Sequence, residues 1–384
     1  MGIHMDTEEI INLNNFSEEY DRNTNIDNDI EKVIKLYPAK VTSYLRELII
    51  RYPSTVGRQF LPSPEELTSN GTDEPFESGK HCAGVHGLER VYRDRVIIIP
   101  VFDCPAYCRF CFRKSRVQRS KRPMDENDIK KAVEYISNNP EIRGVLITGG
   151  DPFLDLDRLD FLLTSLMSID HIYDIRIGTR SLLYRPHIFT DELIERLNRF
   201  NVPDYVNPTK SKSLAINVHF NHPDELTPEA IRTCHKFVSK GIILRNQTVL
   251  LKGINDDPDT IITLFSILIR NRIIPYYLNH CMPVVGSDHF RTSVARGIEI
   301  MEELFKLSST LCPNYVFATE VGKVHVINKE VLDYDYKGDQ KFIRTRMVYN
   351  PDEFFRYTNQ NSLPGRHYID EHGCIIGYYR DGND

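Results

Sequence analysis

The sequence has no hydrophobic run approaching the roughly 20 residues that a membrane span requires, and no apolar leader precedes its first polar segment. A protein that neither crosses a membrane nor leaves the cell is expected, with a cytoplasmic location. Charge of one sign is also scarce. The formal net charge is −6 over 384 residues, and the 48 Lys and Arg residues are dispersed, which leaves no basic stripe for nucleic acid and no patch for an anionic membrane. Cysteine is the third scarcity. Eight in a chain of this length form no disulfide framework and suit a reducing compartment. With 41% hydrophobic residues the chain can bury one large core, and a single catalytic domain with extensions is the expected organisation. The opening Met1-Gly2-Ile3-His4-Met5 reads as a cloning remnant before a native start at Met5 and carries no weight for the fold.

Three of the eight cysteines are concentrated in Asp103-Cys104-Pro105-Ala106-Tyr107-Cys108-Arg109-Phe110-Cys111-Phe112-Arg113-Lys114, just after an apolar run. Thiolates spaced C-x3-C-x2-C suit one face of an iron-sulfur cube and leave one iron open to a small molecule. A closed zinc site would need a fourth Cys or His. The nearest candidates, His81, Cys82 and His86, lie before the preceding strand. Packing alone gives no reason for this spacing or for the flanking Arg109, Arg113 and Lys114.

Residues 6 to about 30, rich in Asn, Asp and Glu, read as a mobile or loosely helical arm. Ile30 to Arg51 carries apolar residues at helical spacing broken at Pro38, so two short helices are expected, followed by loop from Pro53 to Gly87. From Tyr92 onward, strand-like and helix-like segments alternate. Strands are expected at Arg95–Val101, Gly144–Thr148, Asp174–Gly178, Leu214–His219, Ile242–Thr248, Ile273–Leu278 and Tyr315–Thr319. Helices are expected at Glu126–Asn138, Asp157–Met167, Thr190–Phe200, Pro228–Lys240, Asp259–Ile269 and Val294–Ser309, with Asp125, Thr190 and Thr227 as capping residues. Alternating βα units imply a parallel sheet with helices outside, and pattern alone leaves barrel and doubly wound sheet nearly even. The remainder, from Val324 to Asp384, is rich in Tyr, Phe, Arg and Asp and contains a hairpin-like Tyr336-Lys337-Gly338-Asp339.

Thr148-Gly149-Gly150-Asp151-Pro152 ends the apolar strand Val145-Leu146-Ile147. Two glycines at a strand end let backbone approach a ligand closely, although a strand-terminal Gly-Gly is also a common turn signal.

The cysteine loop resembles that of radical S-adenosylmethionine (SAM) enzymes, and within them the lysine 2,3-aminomutase family, in which Cys-x-x-x-Cys-Arg-x-Cys-x-Arg recurs. The resemblance runs from about Arg58 to Lys323. It implies an α/β fold, a partial (β/α) barrel of the radical SAM type, with an N-terminal arm and helical extension (1–87), the barrel (88–323) and a C-terminal cap or subunit-contact segment (324–384). It implies a 4Fe-4S cluster on Cys104, Cys108 and Cys111 whose open iron chelates SAM, and one-electron cleavage of SAM to a 5'-deoxyadenosyl radical. Thr148, Gly149, Gly150 and Asp151 resemble the motif that binds the amino group of SAM. Asn217-Val218-His219-Phe220-Asn221-His222-Pro223, Arg245-Asn246-Gln247-Thr248-Val249-Leu250-Leu251 and Arg176-Ile177-Gly178-Thr179-Arg180 match family segments, which implies His219 and Gln247 as cofactor contacts and Arg180 as a cofactor contact or a brace for the loop.

The family also uses pyridoxal phosphate (PLP), which makes a radical 1,2-shift of an amino group feasible. Lys323, in Glu320-Val321-Gly322-Lys323, matches the imine-forming lysine; Tyr92 and Arg95 match residues that hold the cofactor phosphate, with Arg90 and Arg93 near Val91, which replaces a further family Arg. Arg113 matches the clamp on the substrate α-carboxylate. Where lysine-specific members carry two Asp residues for the substrate ammonium, this chain has Met282 and Ala318 or a neighbour, so lysine is not the expected substrate. Glu320 and Asp288 would suit arginine or another polar amino acid; His280 and Lys323 would suit an anionic one. The C-terminal segment lacks the cysteines of zinc-binding members, so no structural zinc is expected, and Cys234 reads as a buried thiol. The expected activity is that of an isomerase, a PLP-dependent amino acid 2,3-aminomutase. It would take a small-molecule amino acid and an electron donor such as flavodoxin or ferredoxin, and would form a homo-oligomer. The alternatives are a radical SAM enzyme without PLP and a non-catalytic iron-sulfur protein.

Overall fold

The computed structural model describes residues 10–12, 28–68, 70–73, 84–117, 122–307, 309–319, 322–326, 332–346 and 351–382. Helix α1 (Asn28–Leu36) and helix α2 (Ser43–Arg51) flank Pro38, as their apolar spacing requires. Between them the chain is not helical. Lys40–Thr42 is a strand, β2, antiparallel to β1 (Ile10–Asn12). The stretch expected to be a loose arm therefore contributes a strand, and residues 13–27 lie outside the described residues. Proline forces its predecessor out of the helical region, and β-branched Val41 and Thr42 continue extended until Thr42 caps α2 by accepting the Leu45 N–H at 3.1 Å.

The main sheet has nine strands, β3 (Leu88–Glu89), β4 (Arg95–Ile98), β5 (Gly144–Ile147), β6 (Asp174–Gly178), β7 (Ser213–Val218), β8 (Ile243–Leu250), β9 (Ile273–His280), β10 (Asn314–Thr319) and β11 (Gly322–His325), hydrogen-bonded in that order. β4 to β10 run parallel, while β3 and β11 are antiparallel at the two edges. The sheet curls through 255°, a partial (β/α) barrel. One-turn α3 (Lys114–Val117) closes the cysteine loop. The crossover helices are α4 (Glu126–Ser137), α5 (Leu156–Met167), α7 (Asp191–Asn198), α8 (Pro228–Ser239), α9 (Pro258–Arg270) and α10 (Val294–Leu307), with one-turn α6 (Ser181–Tyr184) before α7. Asp125, Thr190 and Thr227 cap α4, α7 and α8, each satisfying an N–H that a first turn leaves without a partner.

Alternation along the strands separates two faces. Val96, Ile98, Val145, Ile147, Ile175, Ile177, Leu214 and Ile216 are at most 1% exposed, in one core with Leu159, Leu162, Leu163 and Ile194 of the helices. Each such burial is worth about 1.5–3 kcal/mol. The other face, the concave one, carries Arg95, Arg176, Asn217, Arg245, Gln247 and Lys323 at alternate positions. A polar lumen is a place for ligands, since packed barrel interiors are filled by branched apolar side chains.

The C-terminal segment forms its own antiparallel sheet of β12 (Leu332–Lys337), β13 (Gln340–Arg346), β14 (His367–Ile369) and β15 (Ile375–Arg380), in the order β12-β13-β15-β14, with α11 (Pro351–Thr358) between β13 and β14. The expected hairpin is the β12–β13 turn, where Gly338 has φ +62°. Buried Asp381 fastens this sheet to the barrel by accepting the Val294 N–H at 3.2 Å at the start of α10. Among the described residues no helix is long and apolar enough to cross a membrane.

Candidate active site

Cys104, Cys108 and Cys111 lie on the loop after β4. Its start is fixed by Asp103, whose carboxylate accepts the Cys104 N–H at 2.8 Å and the Tyr107 hydroxyl at 2.6 Å and pairs with Lys40 at 2.8 Å. The N-terminal extension holds the rest: Tyr107 donates its N–H to the Lys40 carbonyl (2.9 Å) and Arg109 to that of Gln59 (2.8 Å). The Arg109 guanidinium is fully buried. It grips both oxygens of Glu66 (2.9 and 2.6 Å) and the carbonyls of Pro38 and Tyr37 (3.0 and 3.1 Å). Lys114 reaches the same Glu66 carboxylate and the Gly286 carbonyl. Burial alone would raise the Glu66 carboxyl, yet Arg109 and Lys114 hold it below its usual range. Burial pushes Lys114 down to about 8.

The thiols repel one another's charge. Burial, then Asp151, Cys111 and Cys108, raise Cys104 well above an ordinary thiol; burial and then Cys108 push Cys111 up to about 11. Such a set rewards a bound cation, which reverses the penalty on each thiolate. Among the described residues no three His, Cys, Asp or Glu side chains converge on a single-ion site. A cube, in which thiolates bind different irons, does not require them to. Of the zinc alternatives, His81 and Cys82 lie outside the described residues, and His86 Nε2 bonds the Arg122 carbonyl at 2.9 Å.

The strand-end glycines press against this loop. A β-carbon on Gly150 would lie 2.1 Å from the Asp103 carbonyl oxygen, and one on Gly149, at φ +124°, 2.2 Å from Ile99 Cγ2. It is the loop's own backbone and Ile99, the residue just after β4, that fill the space the missing side chains leave. Asp151 donates its N–H to the Asp103 carbonyl (2.9 Å). Its buried carboxylate accepts the Thr179 hydroxyl (2.8 Å) and the N–H groups of Arg180 and Phe153 (both 3.1 Å). Burial raises its pKa despite these donors. The Thr179 hydroxyl also lies 3.0 Å from its other oxygen, so both oxygens are engaged and a ligand ammonium would join an already paired carboxylate.

Arg180 donates to Cys108 Sγ at 3.0 Å, to the His219 carbonyl at 3.2 Å and to Gln59 Oε1 at 2.6 Å, and pairs with Glu225 at 3.2 Å. Its place is therefore beneath the cluster loop. His219 bonds Asn221 Oδ1 at 3.0 Å, and burial followed by the Arg180 charge drives its pKa well down, so the imidazole is neutral. Gln247 sits at a β-bulge of β8, half-buried on the concave face, and its amide makes no hydrogen bond among the described residues. Neighbouring polar residues are structural. Asn246 bonds both backbone groups of Phe220 (2.8 and 3.0 Å), and Asn255 bonds the Asn221 and Val249 carbonyls.

Lys323 lies on the antiparallel edge strand β11, paired with Ala318, rather than in a loop after the last strand. Its Nζ rests 3.6 Å from the centre of the Tyr277 ring. Burial, then Arg95 and Arg176, push the ammonium down to about 7. Tyr92 accepts the Lys323 N–H at 2.9 Å, and Arg95 stacks 3.9 Å from the Tyr92 ring centre. An amine that loses its proton near neutrality among fixed cations suits PLP, which asks for a nucleophilic nitrogen and a phosphate counter-charge. Arg90, expected as a substitute phosphate ligand, is committed elsewhere: it pairs with Glu141 (2.8 Å) and bonds Asn139 and the Tyr135 hydroxyl (both 3.1 Å).

Arg113 is buried. Glu89 on β3 stands 3.5 Å from it, while its Nη1 has no hydrogen-bond partner among the described residues, a donor of the kind a carboxylate would take. Met282 and Ala318 are half-buried, and Glu320 lies outside the described residues. Asp288 accepts the Asn70 N–H (2.9 Å) and faces Arg380 (4.0 Å). His280 stacks on Phe317 (5.1 Å) and bonds the Tyr315 hydroxyl (2.9 Å), in the layer under the C-terminal sheet. Asn217, which opens a segment that matches the family but is assigned no role of its own, has its amide nitrogen and oxygen both buried without a hydrogen-bond partner among the described residues. The Tyr184 hydroxyl, to which no sequence motif points, stands 3.1 Å from Cys108 Sγ. Cys234 is fully buried, which pushes its thiol up to about 12.

A curled parallel sheet with a three-cysteine loop after its first parallel strand defines a radical SAM enzyme, and the Radical SAM superfamily matches residues 98–265. The L-lysine 2,3-aminomutases of Acetoanaerobium sticklandii and Clostridium subterminale are 35% and 34% identical to the chain. They cover 77% and 72% of it, and the chain covers 74% and 68% of their lengths. The glutamate 2,3-aminomutase of Clostridioides difficile is 38% identical over 60% of the chain and 52% of its own length. The chain belongs to the lysine 2,3-aminomutase family of isomerases.

Proposed function

We propose that this enzyme is a PLP-dependent 2,3-aminomutase acting on an α-amino acid whose side chain is neutral or anionic. The observation that carries the reading is Lys323, a half-buried amine that burial, Arg95 and Arg176 push down to about 7, on the lumen face of a sheet whose first parallel strand feeds the cysteine loop. With cofactors bound, a 4Fe-4S cluster and SAM supply a hydrogen-abstracting radical, and PLP supplies an unsaturated partner through which the substrate nitrogen passes between adjacent carbons.

The chain's own groups bind and orient. Cys104, Cys108 and Cys111 hold the cluster. Asp151 receives the SAM ammonium, with Thr148, Gly149 and Gly150 shaping the strand end, and neutral His219 and Gln247 hydrogen-bond the adenosyl moiety. Tyr92 and Arg95 receive the phosphate, and Lys323 presents its nitrogen to the pyridoxal carbonyl. The spare Nη1 of Arg113 clamps the substrate α-carboxylate and fixes which hydrogen faces the radical. Among the described residues the candidate positions offer a cationic side chain no spare acid. The two positions matched to the acids of lysine-specific relatives are Met282 and Ala318 or a neighbour, Ala318 pairs with Lys323, and Asp288 is engaged by Arg380 and Asn70. An unpaired buried ammonium costs several kcal/mol.

The test is anaerobic incubation of the reduced, reconstituted protein with SAM, PLP and a panel of lysine, arginine, glutamate, glutamine and alanine. A β-amino isomer from a non-basic member, with SAM regenerated, is expected. Stoichiometric 5'-deoxyadenosine and methionine without any isomer would overturn the reading.

A further inference from the structure

We propose that Arg180 and Tyr184 tune the reduction potential of the cluster by acting together on one of its three ligands, Cys108; this rests on the cluster reading above. Both groups reach the same sulfur, Arg180 Nη1 at 3.0 Å and the Tyr184 hydroxyl at 3.1 Å. Among the described residues the sulfurs of Cys104 and Cys111 accept no side-chain hydrogen bond. The local fold explains the convergence. Arg180 precedes the single turn α6 and Tyr184 ends it, so the two are four positions apart and face the same way.

Neither side chain is free to swing. Tyr184 is 2% exposed, its carbonyl accepts the Thr42 hydroxyl at 2.7 Å, and its ring meets Phe60 edge-on at 5.7 Å. Arg180 is wedged over the rings of Phe60 and Phe110 (4.8 and 5.3 Å), with its other donors spent on His219, Gln59 and Glu225. Glu225 is itself fully buried. It takes the Gln59 amide at 2.6 Å and the Asn221 N–H at 3.0 Å, so its charge stays beside Arg180.

Reduction adds negative charge to the cluster and its sulfurs. A donor aimed at a ligand sulfur stabilises the reduced form more than the oxidised one and raises the potential. Arg180, Tyr184 and Glu225 are all buried, so their effect is weakly screened. Glu225 partly cancels the Arg180 charge, so Cys108 feels a balanced pair rather than a bare cation. Two changes on this one network therefore have opposite signs. Tyr184→Phe removes a donor with no change of charge and lowers the potential. Glu225→Gln keeps the shape, uncovers Arg180 and raises it. Arg180→Lys, which retains charge and loses the planar fork, lowers it. These are positioning residues, and a purely structural role would not give opposite shifts.

The experiment is a mediated redox titration of the anaerobically reconstituted holoenzyme, followed by electron paramagnetic resonance, after iron and sulfide have been counted. A more negative midpoint for Tyr184→Phe and a more positive one for Glu225→Gln, each with a full cluster, is the expected result. Wild-type midpoints in both, or shifts of the same sign, overturn the proposal. If Glu225→Gln fails to fold, Arg180→Lys decides in its place, a wild-type or higher midpoint overturning it. Wild-type protein that takes up no cluster removes the underlying reading instead, and this proposal falls with it.

Discussion

The hydroxyl of Tyr92, just before the first parallel strand, accepts the backbone N–H of Lys323, on the last strand of the sheet, at 2.9 Å. One hydrogen bond thus spans the open side of a sheet that curls through 255°, and it fixes the strand that presents the Lys323 amine. Tyr92→Phe is expected to cost about 0.5–1.5 kcal/mol, the usual worth of one such bond, and to weaken PLP retention. Urea unfolding and an absorbance titration with PLP measure the two effects.

Lys323 also gives stability a pH dependence. Its ammonium is pushed down to about 7 from 10.5. Between those values the unfolded chain binds a proton that the folded chain does not, so stability rises with pH across the window and is lost as pH falls through it. Lys114, pushed down to about 8, slopes the same way. Comparing wild type with Lys323→Met in PLP-free protein isolates the first: the rise in melting temperature from pH 7 to pH 10 is expected to be smaller in the variant. Equal slopes would mean that the amine keeps its proton in the fold.

The Arg109–Glu66–Lys114 cluster is fully buried. Glu66→Gln leaves two cations dry around a neutral amide, a loss of about 3–5 kcal/mol. Because Arg109 belongs to the cysteine loop, iron uptake should fall along with the unfolding midpoint. Intact iron content at reduced stability would show that the loop is held by other contacts.

Asp151→Asn keeps the shape of a side chain that now accepts from Thr179, Arg180 and Phe153. Hydrogen bonds to a charged group are worth about 1.5–3 kcal/mol, so retention of SAM is expected to weaken by roughly tenfold or more. Equilibrium dialysis with labelled SAM gives the ratio.

Asn217 buries two polar atoms without a partner among the described residues, a cost of about 1–3 kcal/mol in the ligand-free protein. Asn217→Leu should raise the melting temperature of the empty protein and shrink the further rise that added SAM or PLP produces. A variant that melts lower and responds fully to both ligands would show that the amide serves the fold alone.

Much of the barrel was legible because its signals are local. Alternating apolar residues marked each parallel strand to within three residues at either end, and Asp125, Thr190 and Thr227 announced helix starts with side chains that bond the next turn. The short strand Lys40–Thr42 was not legible, since three residues carry no period and its partner lies far off in the chain. The site was legible where a motif is contiguous, as in the cysteine loop. It was illegible where tertiary contact decides. Nothing near Arg90 in the sequence reveals that Glu141 captures it, and nothing near Tyr184 points to a cysteine 76 positions earlier. Lys323 was found as a residue, but its place on an antiparallel edge strand depends on the Gly322 turn at φ +129°, which lets β11 fold back on β10.

The strand-end glycines carry a genetic consequence. What stands 2.1 Å from a β-carbon at Gly150 is a main-chain oxygen, that of Asp103, and no exchange of side chains elsewhere can move it aside. At Gly149 the obstacle is the Ile99 side chain, yet trimming it would leave a φ of +124° that other L-residues rarely adopt. Suppressor screens starting from alanine at either position should return only true revertants, because neither defect has a remedy at a second site.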